Sequence, residues 1–264
     1  MPIITKIGTA TPDYRHNQLS ILNFMQQMLP LDETKKRLLS LLYHRSGIKT
    51  RYSVLSDYSE KREDFSFYPK RNEKSDFPNL EKRMKVFDET ALNLSVKAIK
   101  SIIDEKEIGE ITHLITVTCT GLSAPGLDLQ LVEKLEMKPD IFRTSVNFMG
   151  CYTAIHALKL ANSLAISSPN AKVLVLCTEL CTLHFQDSTN IDQLTSALLF
   201  ADGSAACLVE GSSSNSKGLE ISNFFSKVIA KGKEDMAWGL SSTGFQMILS
   251  NHIPRLVEGE IESL

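Results

Sequence analysis

The stretch Thr144 to Ser168, TSVNFMGCYTAIHALKLANSLAISS, constrains the fold most: an extended run breaks at Gly150, and a helix with almost no polar face begins at Cys151. Ala154, Ile155, Ala157, Leu158, Leu160, Ala161, Leu164 and Ala165 cover most of its circumference, leaving His156, Lys159 and Ser163 as a polar line at helical spacing. Such a helix is expected to be buried. Upstream, Ser145 to Phe148 reads as the end of a buried strand, and Gly150 permits a tight backbone approach that a side chain would block. A thiol in the first turn of this helix faces unpaired N–H groups and the positive end of the helix dipole, which favour thiolate. Cys151 therefore reads either as a nucleophile that takes an acyl group from a thioester, or as a small buried hydrophobe, the usual role of an unpaired cysteine.

Phe87, Ala91, Leu94, Ala98 and Ile102 set a helix over Val86 to Ile103. ITHLITVTCT is then a continuous apolar strand, Leu127 to Leu135 is helical, and AKVLVLCTE follows the buried helix as a further strand. The alternation predicts a mostly parallel α/β sheet covered on both faces, with active-site residues beyond the strand C-termini. Nearer the N-terminus a strand is expected over Ile3 to Thr9, and helices over Leu19 to Met28 and Asp32 to Tyr43, the last with Asp32 as N-cap. Ser53 to Lys85 reads as a charged surface excursion pinned by Phe65, Phe67, Tyr68 and Phe77. Leu180 to Gln193 reads as irregular, SALLFADGSAACLVEG as strand-like around a turn at Ala201 to Gly203, and Leu219 to Ala230 as an edge strand. Met236 onward starts extended and turns helical after Pro254.

Lys and Arg number 29 against 31 Asp and Glu, so bulk charge does not point to nucleic acid or an anionic membrane. Apolar runs are too short for a transmembrane helix and the N-terminus has no leader pattern, so a cytoplasmic protein is expected. Cys119, Cys151, Cys177, Cys181 and Cys207 form no CxxC pair, which favours neither a disulfide framework nor a metal site. Arg45, Lys49 and Arg51 cluster around Gly47 as a local anion site or, alternatively, a solvated turn.

Three stretches, VTCTGLSAPGLDLQLVEKLEMKPDIFRTSVNFMGCYTAIHALKLA, LLFADGSAACLVEG and MAWGLSSTGFQMILSNHIPRLV, together resemble type III polyketide synthases, the chalcone synthase-like group of the thiolase superfamily. SGIKTRY and the FSFYPKRN region precede them in the expected order. The resemblance implies a thiolase-like layered αβαβα sandwich of two similar halves. Residues to about 211 correspond to the N-terminal domain and those from about 218 to 264 to the beginning of the C-terminal half. It implies a homodimer that loads Cys151 from acyl-CoA and extends the acyl group by decarboxylative condensation with malonyl-CoA. No cofactor is implied beyond the coenzyme A thioesters that serve as substrates.

By the same likeness, Arg45, Lys49 and Arg51 fall in the CoA-binding basic region, which favours the phosphate reading. Phe200 falls on the aromatic between CoA tunnel and condensation cavity, and Met247 where plant members place a second gating phenylalanine. Cys119, Thr120 and His184 align with cavity walls, Cys119 alternatively with a site that holds an intermediate, and Ala124 with the residue that reaches into the partner's cavity.

The resemblance also implies a histidine and an asparagine from the second half, which hold the enolate and polarise the thioester. Neither motif occurs before Leu264, so an N-terminal portion is expected, with condensation in a full-length form and an apolar face left uncovered. Two alternatives accompany this reading: a ketoacyl synthase III-like condensing enzyme, and a non-catalytic protein that binds CoA thioesters or dimerises with a full-length relative.

Overall fold

The computed structural model describes residues 1–70, 77–214 and 216–261; part of the excursion and of FSFYPKRN, at 71–76, lies outside the described residues. The chain runs β1 (Ile3–Ala10), β2 (Tyr14–Asn17), α1 (Gln18–Met28), α2 (Glu33–Arg45), β3 (Thr50–Ser53), α3 (Leu80–Lys100), α4 (Glu105–Ile108), β4 (His113–Thr118) and α5 (Leu127–Lys134). It continues through β5 (Phe142–Asn147), α6 (Thr153–Ser167), β6 (Lys172–Leu180), α7 (Ile191–Leu199), β7 (Asp202–Glu210), β8 (Leu219–Glu220), β9 (Met236–Ser241), β10 (Gly244–Leu249) and α8 (Ile253–Ile261). Contacts divide it into one unit of residues 1–11, 87–179 and 203–224, and a second of 12–86, 180–202 and 225–264.

The first unit carries a mixed sheet in the order β5-β4-β6-β7-β1-β8. β4 runs parallel to β5 and β6, whereas β1 runs antiparallel to β7 and β8. Alternation along the strands turns Ile115, Val117, Val173 and Val175 to one face, where Ala157, Ala161 and Ala165 of α6 pack against them. The four-residue spacing makes these alanines one stripe, and their small side chains let the helix lie close to the sheet. On the other face, Ser95 of α3 shares a 2.7 Å hydrogen bond with Thr178 of β6, which bonds Ser204 of β7 at 2.8 Å. At Gly8 of β1 a Cβ would lie 2.2 Å from Ser101 Oγ, so β1 tolerates only glycine beneath the end of α3.

Four expectations are corrected in this unit. The sheet is mixed rather than mostly parallel, because β1 enters it antiparallel to β7 and β8. α6 is buried along its alanine stripe only, for Ile155 is 52% and Ile166 64% exposed. β5 is not a buried strand but the sheet's edge, paired with β4 alone, and its Phe142 is 69% exposed. The expected strand from Leu219 shrinks to Leu219–Glu220, paired with Ile3 and Ile4 at the opposite edge.

In the second unit, β2 and β3 pair antiparallel from Tyr14↔Ser53 to Asn17↔Thr50. Asn17 caps α1, and Asp32 caps α2 by accepting the Lys35 N–H at 2.8 Å. The excursion is pinned as its composition predicts: Phe24 lies 4.6–5.4 Å, centroid to centroid, from Tyr58, Phe65, Tyr68 and Phe185. Buried Asp57 satisfies its turn by accepting N–H bonds from Ser66, Phe67 and Tyr68. Ser196 to Leu199 belongs to α7 rather than to a strand, because Asn190 caps the Asp192 and Gln193 N–H groups and Leu194 and Leu198 bury one helical face. β9 and β10 form a hairpin, and α8 contains Pro254 in its first turn.

Candidate active site

Cys151 sits in the turn between β5 and α6, at the C-terminal edge of the parallel strands. That turn takes Phe148 through φ 56° and Gly150 through φ 91°. Gly150 is required by this left-handed backbone and not by crowding, since a Cβ there would meet Tyr152 at an ordinary 3.5 Å. The Thr153 N–H donates to the Gly150 carbonyl at 3.0 Å and closes the turn. The helix itself starts at Thr153 with Tyr152 as N-cap, so Cys151 precedes the helical first turn in which the sequence places it.

As a residue Cys151 is exposed, unlike the half-buried Cys119, Cys177, Cys181 and Cys207, but its sulfur is partly withdrawn from solvent. That desolvation, and then the Glu179 carboxylate, push the thiol above its ordinary value of 9.0; its own backbone N–H works the other way. This direction, set first by desolvation, is opposite to the thiolate stabilisation expected at the start of α6. Burial drives Cys177 to about 12 and Cys207 to about 11, so neither sheet cysteine is a nucleophile at neutral pH.

Glu179, which sequence reasoning passed over, organises this edge. Its carboxylate accepts the Cys119 N–H at 2.9 and 3.1 Å, the Thr120 hydroxyl at 2.6 Å and the Thr118 hydroxyl at 3.3 Å. Burial raises it to about 7 against these bonds, so near neutrality it is partly protonated. An acidic residue closing the apolar run AKVLVLCT was the available signal. Thr120 is buried, Cys119 half-buried, and Ala124 exposed on the following loop.

In the second unit, His184, Phe200, Met247 and Arg51 line a cavity of about 50 Å³ together with Trp238 and Gln193. The Phe245 N–H donates to His184 Nδ1 at 3.2 Å, and Trp238 meets the His184 ring edge-on at 5.7 Å. Trp238 is the second residue that the sequence reading missed; no local pattern marks it. Arg51 is buried and bonded inward, its Nη1 to the Ala197 and Phe200 carbonyls and its Nε to Gln18 Oε1 at 2.8 Å. This differs from its expected place in the phosphate-binding set, because Arg51 is buried with Nε and Nη1 spent on internal acceptors and Nη2 3.4 Å from the Tyr43 hydroxyl. Arg45 and Lys49 are exposed. Among the described residues no cluster of metal-ligating side chains occurs, and no helix is long and apolar enough to cross a membrane.

The chain superimposes on a solved polyketide synthase, PKS-I of the brown alga Ectocarpus siliculosus, with a TM-score of 0.90 at 26% identity, covering 100% of this chain and 71% of that one. The architecture is thus the thiolase-like α/β fold of type III polyketide synthases, an acyltransferase class of enzyme. Residues 2–213 match the model for the N-terminal domain of chalcone and stilbene synthases, and the chain belongs to that family. It is 31% identical over 92% of its length to "Probable polyketide synthase 1" of Dictyostelium discoideum, and 30% over 96% to the alpha-pyrone synthesis polyketide synthase-like Pks18 of Mycobacterium tuberculosis. The chain spans 8% of the first of these relatives and 63% of the second.

Proposed function

We propose that Cys151 is the acyl-accepting nucleophile of a CoA-dependent polyketide synthase. The observation that carries this is the exposed cysteine at the strand C-terminal edge, on the turn into α6, in a chain of this family. The sulfur attacks the thioester carbonyl of acyl-CoA and loses its proton, and CoA leaves as the thiol. Malonyl-CoA then loses CO2, its α-carbon attacks the acyl-cysteine carbonyl, and the Cys151 thiol is regenerated. With desolvation and the Glu179 charge raising the thiol, activation falls to a histidine, and enolate stabilisation to that histidine and an asparagine, from the family's second half; losing such donors costs about a hundred- to a thousandfold each.

In this reading residues to about 211 are the family's N-terminal domain and those from about 218 begin its C-terminal half. Arg45 and Lys49 meet the CoA phosphates, Phe200, Met247 and His184 shape the acyl cavity, Cys119 and Thr120 form the wall beside Cys151, and Ala124 faces the partner in a homodimer. The thioesters are substrates, and no further cofactor is required. The test is intact mass after incubation with an acyl-CoA of defined length. One acyl increment is expected on the chain and none on C151A; an increment that persists in C151A overturns the assignment.

A second reading is favoured by the raised Cys151 thiol: a chain that binds CoA thioesters without turnover, alone or with a full-length relative. It predicts saturable CoA binding, lost in the R45A/K49A double variant, with no acyl increment at any pH from 6 to about 9, the ordinary thiol value.

A further inference from the structure

We propose that Ser59 and His16 form a nucleophile–base pair that takes acyl groups from uncharged aryl esters and hydrolyses them, an activity distinct from acyl transfer at Cys151. The pair is built inside the second unit. His16 is the residue of β2 that alternation turns inward, and it is 3% exposed. The chain comes back to it after β3, where Leu55 is followed by a single 3-10 turn, Asp57–Ser59, closed by the Ser59 N–H on the Ser56 carbonyl at 3.1 Å. This turn leaves Ser59 exposed while its Oγ lies 2.7 Å from His16 Nδ1. On the other side of the ring, His16 Nε2 lies 2.9 Å from the Leu55 carbonyl oxygen.

These two contacts fix the ring proton. A carbonyl oxygen only accepts, so Nε2 carries the hydrogen and donates it to Leu55. Nδ1 of the neutral ring is then an acceptor, and the Ser59 hydroxyl is its donor. A serine hydroxyl aimed at an imidazole lone pair, with the far nitrogen held by a third group, is the arrangement of an activated nucleophile. Ser59 is exposed and its base is buried, so an ester in solution meets the serine before the ring.

The titratable groups around the ring are Arg51, its partner across β2 and β3, Asp57 and Glu60 on either side of Ser59, and the Tyr14 and Tyr58 rings at 6.4 and 5.7 Å. Burial, and with it Arg51, lowers the His16 value from 6.5 against the Leu55 bond and the two carboxylates, so the ring is a neutral base at neutral pH. Tyr14 is 49% exposed and stacked on the His16 ring, which sets an aromatic face beside the pair for an aryl group. In the reaction Ser59 Oγ attacks the ester carbonyl, its proton passes to His16 Nδ1, and the departing phenolate takes that proton, leaving an acyl-serine. Water then attacks the acyl-serine, its proton returns through Nδ1 to Ser59 Oγ, and the carboxylic acid is released.

The test is p-nitrophenyl acetate on the intact chain, with acetyl groups located by peptide mass spectrometry and the exposed Ser226 as reference. Ser59 is expected to be acetylated about a hundredfold faster than Ser226, and H16Q to lose at least about tenfold of that rate, as general-base assistance requires. The Ser59 rate should level off above the His16 value, which lies below 6.5, rather than rise in step with hydroxide up to about pH 9. Nitrophenol release by C151A should pass one equivalent per chain and fall to background in the C151A/S59A double variant. Ser59 acetylated no faster than Ser226 overturns the nucleophile. An unchanged rate in H16Q, or a rate proportional to hydroxide throughout, overturns the base, and release that stops at one equivalent overturns the hydrolysis. If H16Q does not fold, the wild-type pH profile decides, because a purely structural His16 gives no plateau. The acyl-CoA increment at Cys151 is read on its own peptide, so failure of either assignment leaves the other standing.

Discussion

Arg45, Lys49 and Arg51 are within seven positions of one another in sequence, yet only the first two face solvent. Arg51 lies in β3, where alternation turns its side chain inward onto Gln18 and the carbonyls that end α7. R51A leaves those acceptors buried without their donor and is expected to cost about 2–4 kcal/mol, read as a lower urea midpoint. R45A and K49A should move stability by less than about 0.5 kcal/mol and weaken CoA binding measured by calorimetry. Residue type made this cluster visible in the sequence; strand phase, which composition does not carry, decides which members can meet a ligand. The Cys151 position was equally visible through Gly-Cys before an apolar helix. Its ionisation was not, since Glu179 approaches from another strand.

At the scale of elements, the end of β6 links site and stability. The folded state holds the Glu179 proton up to about pH 7, whereas an exposed glutamate releases it near 4.5. Raising pH across that window therefore removes stability, by about 3 kcal/mol for a shift of this size. Asp202 at the start of β7, raised by burial to about 6 from 3.8, acts with the same sign. Urea midpoints of wild type and E179Q at pH 5 and 7.5 check this: the wild-type midpoint should drop more between the two pH values, and equal drops refute a buried titrating Glu179. Elements with strong periodicity, α1, α2, α3 and β4, were legible in the sequence, as was the Asp32 cap. The SALL segment was not, because a short apolar run suits strand and helix alike and the capping Asn190 lies six residues upstream of Ser196.

For the whole molecule, an α/β sheet with helices and an uncovered apolar face could be read from strand and helix alternation and from the family resemblance, but the antiparallel entry of β1 into the sheet, and α6 as the place of that face, could not. Phe142, Tyr152, Ile155 and Ile166, each more than half exposed, give the first unit a run of apolar surface from β5 along α6. At micromolar concentration the chain is expected to elute with a mass above 29.4 kDa by light scattering, and I155D to shift it toward that value. A wild-type chain that stays monomeric would show these residues to be compatible with water. Ala157, Ala161 and Ala165 act as a spacer of fixed thickness between α6 and the sheet. A larger side chain at any of the three lifts the helix like a shim under a lever, and Cys151 precedes the first residue of that lever, Thr153. The reach of the nucleophile is thereby set from Ala157, Ala161 and Ala165, by side chains that never meet a substrate.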